Sequence, residues 1–224
     1  ILAGPMLVSS YDEYEYLLES EEVKEMFAAA EEQGIKILNL GYIFGFRSLM
    51  TNKLIETPED LKGMKMRIPG IKMYTDLFRA YGSDPATMTW SEVFTALQQG
   101  TIDGQENPID VIYSSKIDEV QDYLTLWNYS YDPLVLGINK KLFDSMSEED
   151  QELFKRLGKE AAAYQIQLNR ERAAEQLEEL KAKGMQVNEL TEEQLQVFKD
   201  ASQPIYDQYK TIWGEDFLKA FQGE

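Results

Sequence analysis

The sequence predicts an α/β fold of two lobes joined by a long helix. Over the first two-thirds of the chain, helical periodicity alternates with short strand-like runs, the order expected of an α/β protein. After Ser147 the pattern changes to helix alone, and residues 148–183 contain no proline and one glycine, Gly158. At roughly 1.5 Å per residue this stretch spans about 54 Å, longer than one small lobe. Two helices with a bend at Gly158 are the plainer alternative. Leu153, Phe154, Leu157, Tyr164, Leu168, Leu177 and Leu180 keep no steady heptad, which argues against a coiled coil.

The elements follow from local signals. Residues 19–33 place Val23, Met26 and Phe27 at helical spacing, and Gly34 ends the helix. Residues 35–40 read as a short strand. Thr57-Pro58-Glu59-Asp60 combines an N-cap, a proline at the first helical position and acid in the first turn. Met64-Lys65-Met66-Arg67-Ile68 alternates strictly, a strand with one apolar face, closed by Pro69-Gly70. Residues 71–81 are helical up to Gly82. Thr89-Trp90-Ser91-Glu92 forms a capping box for a helix through Val93, Phe94 and Leu97. Asn107 and Pro108 read as cap and first residue of another helix, which leaves 101–108 as a polar connection. Residues 134–138 suit a buried strand, 185–187 another, and Thr191-Glu192-Glu193-Gln194 a further capping box.

Composition narrows the function. The 224 residues are 43% hydrophobic and 28% charged, ordinary for a globular protein. Lys and Arg total 22 against 40 Asp and Glu, a net charge of −18. That balance opposes nucleic acid and anionic lipid, whose binding rests on phosphate neutralisation. With no His and no Cys, imidazole and thiolate metal sites, disulfides, Cys nucleophiles and Ser-His-Asp triads are excluded, and no cofactor or metal is expected. No run reaches the roughly 18 apolar residues of a membrane span. The chain opens on Ile1-Leu2-Ala3-Gly4-Pro5 without a basic leader, as expected of a mature or truncated piece with any signal peptide removed.

Three features leave something over after a structural account. Arg67 lies on the strand face opposite Met64, Met66 and Ile68. It is either a solvated arginine on an outer face or a planar fork for a carboxylate. Arg47, after a strand and between Phe44 and Phe46, is either stacked there or ligand-binding. The string Thr101-Ile102-Asp103-Gly104-Gln105-Glu106-Asn107-Pro108 is dense in polar groups, and a helix start at its end also suits an anion. Asp103 and Glu106 raise the alternative of a carboxylate-based lyase or hydrolase. Trp90 alone reads as core.

Taken together, Thr57-Pro58-Glu59-Asp60-Leu61-Lys62-Gly63-Met64-Lys65-Met66-Arg67-Ile68-Pro69, Trp90-Ser91-Glu92-Val93-Phe94-Thr95-Ala96-Leu97-Gln98-Gln99-Gly100, Ile102-Asp103-Gly104-Gln105-Glu106-Asn107-Pro108 and Glu119-Val120-Gln121-Asp122-Tyr123-Leu124 resemble the TRAP transporter solute-binding family, also called the C4-dicarboxylate-binding family. The resemblance runs from about Tyr11 to the end. It implies a two-lobed periplasmic-binding-protein-like fold with a long lobe-bridging helix. Lobe I is expected at 1–44 plus 133–171, and lobe II at 45–132 plus 172–224. It implies a non-enzymatic role, in which a small organic acid is captured for TRAP membrane permease subunits. The expected place is the periplasm, or the outer face of a Gram-positive membrane. A ligand-presenting role toward a sensor uses the same fold.

By position, the resemblance implies that Arg67 pairs with the ligand carboxylate. Arg47 becomes a second cleft arginine, Asn107 a cleft amide, Trp90 an aromatic wall, and Glu106 joins the ligand-binding set. Three departures stand out. Family members carry a further N-terminal stretch, so the N-terminal lobe is expected to be incomplete. Where many members have Asn-His, this chain has Tyr129-Ser130-Tyr131-Asp132, and Gly70 replaces a bulkier residue after the Arg-Ile-Pro string.

Overall fold

In the computed structural model, residues 2–214 and 218 are described; the remaining terminal positions of both expected lobes lie outside them. Two short helices, α1 (Tyr11–Leu18) and α2 (Glu21–Glu32), precede a long strand β1 (Ile35–Thr51). The expected single helix over 19–33 is therefore preceded by a separate one, with Ser10 and Ser20 capping the two starts. Next come β2 (Lys65–Ile68), α3 (Lys72–Ala80), β3 (Asp84–Thr87), α4 (Trp90–Gln98), β4 (Gly104–Pro108), α5 (Ile109–Ser114), β5 (Tyr123–Leu126) and β6 (Tyr131–Asn139). The chain then continues through α6 (Lys140–Asp144), α7 (Glu148–Ala182), β7 (Gln186–Glu189) and α8 (Glu192–Trp213).

Strand β1 organises the sheet. Its first part, up to Phe46, pairs antiparallel with β6, while Arg47 to Thr51 pair with β4 on one side and, from Leu49, with β5 on the other. The order across the sheet is β3-β2-β4-β1-β5-β7. The β1–β6 ribbon shifts register between Ile37 and Asn39, Leu40 and Tyr42, and Ile43 and Gly45. Such bulges let a long strand bend and change partners. At the last one Gly45 adopts φ +105°, and a Cβ there would stand 3.2 Å from both Asn169 Oδ1 and Tyr11 Oη. Only glycine meets both conditions.

Both faces of the inner sheet are covered. Leu49 enters a core with Met66, Ile68, Phe78, Trp127 and Phe198, under α3 and α8. Its neighbour Met50 enters a second core with Val93, Leu97, Ile112, Leu124 and Leu180, under α4, α5 and the end of α7. The alternation expected for β2 holds for Met66 and Ile68, but Arg67 on the opposite face is buried as well, because α4 lies over it. This is the pattern of a strand enclosed on both sides.

Three expectations need correction. Residues 101–108 are not a connection between helices: 104–108 form the central strand β4, buried throughout. Asn107 is therefore not a helix cap; Pro108 holds the N-cap position of α5, without a side-chain cap bond. Residues 134–138 do form a strand, β6, but Val135 is 57% exposed, and Leu134 and Leu136 are exposed too. Leu136 still lies near α7, 3.8 Å from where a Gly158 Cβ would stand, so Val135 is the most exposed of the three.

Helix α7 runs unbroken past Gly158. A Cβ there would lie 3.3 Å from Leu38 Cβ, so the glycine marks a close approach of helix to β1 rather than a bend. Asn169 donates Nδ2 to the Phe44 carbonyl at 3.3 Å, and Leu180 ends in the second core. The helix thus touches the β1–β6 ribbon and the inner sheet.

Gly104 is the tightest point of the sheet. A Cβ would meet the Met50 carbonyl oxygen at 2.5 Å and Met66 Cε at 2.7 Å. Gly104→Ala is expected to destabilise the protein by about 1–3 kcal/mol or more, since a close-packed backbone cannot yield. Urea unfolding with an unchanged m-value measures it.

Candidate carboxylate-binding site

The site lies where β2 and β4 end beside the point at which β1 changes partners. Arg47 is not in a loop but inside β1, opposite Pro108, with its N–H donated to the Ser130 carbonyl at 3.0 Å. It does not stack between Phe44 and Phe46; its guanidinium stands over the Tyr74 ring, 5.7 Å from the centroid. All three guanidinium nitrogens are engaged. Nε donates to Glu106 Oε2, and Nη2 donates to Glu106 Oε1 at 2.9 Å and to the Glu106 carbonyl at 2.9 Å. Nη2 also donates to Asn107 Oδ1 at 3.2 Å, and Nη1 to Asp132 Oδ2 at 2.5 Å. Tyr129 Oη completes the cluster with a bond to Glu106 Oε2 at 2.6 Å.

Arg47 is 5% exposed and Glu106 0%. Burial disfavours the Arg47 charge, yet the Glu106 carboxylate, by attraction and hydrogen bonding, holds the guanidinium above its ordinary range. Burial, with Glu106 beside it, also pushes the Tyr129 phenol well up, so it remains a neutral donor.

Arg67 is different. It is 7% exposed, and its partners among the described residues are the Met88 carbonyl, 3.1 Å from Nη2 and 3.4 Å from Nε, and the Trp90 ring, 5.2 Å from the guanidinium carbon. No carboxylate among the described residues lies within ion-pair distance, and Nη1 makes no bond there. Burial lowers its proton affinity; Glu106 opposes that, and Arg47 adds to it. Trp90 is fixed in turn by Nε1 donating to Ser115 Oγ at 3.2 Å.

Asn107 and Gln105 lie between the two arginines. Both point to the face of β4 opposite Glu106, and Asn107 Nδ2 donates to Gln105 Oε1 at 2.6 Å. Thus Arg47, Glu106 and Asn107 form one network, and Arg67 with Trp90 forms its neighbour. Sequence reading missed Tyr129 and Asp132 as parts of this network, although Tyr129-Ser130-Tyr131-Asp132 stood out as a departure. Asp103 takes no part: its Oδ2 accepts the Lys65 N–H at 2.7 Å at the other end of β4.

The chain resembles known proteins in sequence and fold. The sequence pattern of the family described as bacterial extracellular solute-binding protein, family 7 (DctP), matches residues 1–212. The chain belongs to this family. The 2,3-diketo-L-gulonate-binding periplasmic protein YiaO of Escherichia coli is 35% identical over 200 residues, 88% of this chain and 60% of YiaO. Among solved structures, a TRAP periplasmic solute binding protein from Ralstonia eutropha with bound (S)-2-acetolactate is 34% identical with a TM-score of 0.91, covering 98% of this chain and 71% of that one. One from Haemophilus influenzae with bound L-gulonate is 31% identical, TM-score 0.91, covering 99% of this chain and 73% of that one. The chain spans 52% to 60% of the length of curated relatives such as YiaO and a solute-binding protein of Verminephrobacter eiseniae. The two-lobed family-7 fold, with its long helix, is thus the fold expected from the sequence.

The two arginines should respond oppositely to removal. Arg47→Met leaves Glu106 buried without its partner and is expected to cost about 3–5 kcal/mol of folding stability. Arg67→Met removes a buried cation that has no counter-charge among the described residues and should be neutral or stabilising without ligand. Chemical denaturation of both variants compares them.

Proposed function

We propose that this family-7 protein captures a small organic acid outside the cytoplasm for a TRAP-type secondary transporter, with Arg67 pairing with the acid's carboxylate. One observation carries the reading. Arg67 is a nearly buried guanidinium held by one carbonyl and one aromatic face, with no carboxylate partner among the described residues. A buried cation without a counter-ion is costly, and an anionic ligand relieves that cost. Arg47 and Glu106 then support the site from behind, Asn107 contributes an amide, and Trp90 forms a wall.

The names of relatives support this reading. YiaO is named for 2,3-diketo-L-gulonate, and the solved relatives hold acetolactate and L-gulonate. The relatives named periplasmic support the periplasm as its place, and no helix among the described residues is long and apolar enough to cross a membrane. Residues 1–44 with 133–171, and 45–132 with 172–224, are proposed as lobes that close on the ligand by hinge motion. The permease subunits then receive the closed form. The protein is proposed to perform no chemistry. A lyase or hydrolase using Asp103 and Glu106 is disfavoured, because Asp103 holds the Lys65 backbone and Glu106 is held by Arg47 and Tyr129.

Calorimetric titration with the acid that most stabilises the wild type tests the reading. Arg67→Ala should lose about 2–5 kcal/mol of binding, roughly 30- to several-thousand-fold in affinity. Arg67→Lys should restore little, because an ammonium cannot reproduce the planar fork. Unchanged affinity in Arg67→Ala, or a preferred ligand without a carboxylate, would contradict it.

A further inference from the structure

The amides between the two arginines form a directed chain. A guanidinium only donates, so Asn107 turns Oδ1 toward Arg47 Nη2. Asn107 Nδ2 must then point away, where Gln105 Oε1 accepts it. Gln105 is 0% exposed, and its Nε2 is left buried with no partner among the described residues. Reversing either amide would set N–H against N–H, so Arg47 fixes the polarity of both. A buried, unpaired N–H of this kind calls for an explanation.

Gln105 is the register partner of Arg67 on parallel strands, so the two side chains share a face. Donors therefore collect beside Arg67: its own Nη1, the second N–H of Asn107, and Gln105 Nε2. Among the described residues, acceptors are few there. The Met88 carbonyl already takes two bonds from Arg67. Glu106 lies on the opposite face of β4, held by Arg47 and Tyr129. Ser48, paired with Asn107 across β1 and β4, carries a hydroxyl that can act either way.

We infer that Gln105 is a positioning residue which, with Arg47, orients Asn107 so that the ground beside Arg67 offers donors, and that the site selects carboxylic acids with a hydroxyl or carbonyl oxygen at C2 over the matching 2-amino acids. The inference rests on the proposed carboxylate capture by Arg67. An oxygen at C2 accepts from these donors. An ammonium at C2 meets N–H groups and a second cation, finds no free carboxylate among the described residues, and loses its water. The expected discrimination is about 10- to 100-fold, the effect of leaving a charged donor unpaired.

The test uses the protein at the full length its gene encodes, titrated calorimetrically with three matched pairs: malate and aspartate, lactate and alanine, gluconate and 2-amino-2-deoxygluconate. The wild type should prefer the hydroxy acid of whichever pair binds. Gln105→Leu removes both the Gln105 donor and the acceptor that holds Asn107 Nδ2, so the preference should fall about tenfold while Arg67-dependent binding of the hydroxy acid persists. Asn107→Asp accepts from Arg47 and draws Gln105 Nε2 toward itself, which turns Oε1 outward. That variant should lose the preference too, and it carries the test if Gln105→Leu does not fold. A merely structural role for Gln105 would weaken both members of a pair equally. Equal binding of both members by the wild type, or a preference unchanged in both variants, overturns the inference; if Arg67→Ala still abolishes binding, carboxylate capture stands. Binding that survives Arg67→Ala, or no binding by any of the hydroxy acids, overturns carboxylate capture and this inference with it.

Discussion

A guanidinium and a carboxylate removed from water together, Arg47 and Glu106, hold the strand ends on which the site is built. Desolvating two such ions costs several kcal/mol each, and their attraction offsets this only when geometry and further hydrogen bonds are good. Here they are. Glu106 receives two guanidinium nitrogens and the Tyr129 hydroxyl, and Asp132 takes the remaining side of the fork. The four residues come from β1, β4, β6 and the turn before β6. The pair therefore joins the β1–β6 ribbon to the inner sheet at the point where β1 exchanges one partner for others.

From that constraint follows a division between two arginines that look alike in sequence. Arg47 is neutralised by the protein and orients its neighbours. Arg67, one strand beyond β4, is enclosed to a similar degree but not neutralised. A protein with a net charge of −18 that leaves one buried cation without a carboxylate partner among the described residues concentrates positive potential at one place. That local excess can hold an anion against an unfavourable overall field.

Much of the fold was legible because its signals are local. Capping boxes at Thr89 and Thr191, the glycine stops and the uninterrupted run after Ser147 each marked an element that is present. The failure at 104–108 has a physical cause. Gln105, Glu106 and Asn107 have low strand propensity and read as a loop, but a central strand can carry them when every polar group finds a partner on a neighbouring strand. Those partners, Arg47 on β1 and Tyr129 ahead of β6, are distant in sequence. Likewise the exposure of Val135 depends on what covers the ribbon, which an apolar run does not reveal. Arg67 was singled out by its place on a polar strand face; that no carboxylate among the described residues pairs with it is a tertiary fact.

The central claim is that one arginine is occupied by the protein and the other is kept for a ligand. Side-chain ¹⁵N–¹H spectra of the arginine Nε groups, recorded while a stabilising organic acid is added, test it most directly. The Arg67 signal should shift and become protected from exchange as the acid binds, while the Arg47 signal is protected from the start and stays in place. A ligand-induced change at Arg47 with Arg67 unmoved would contradict the account.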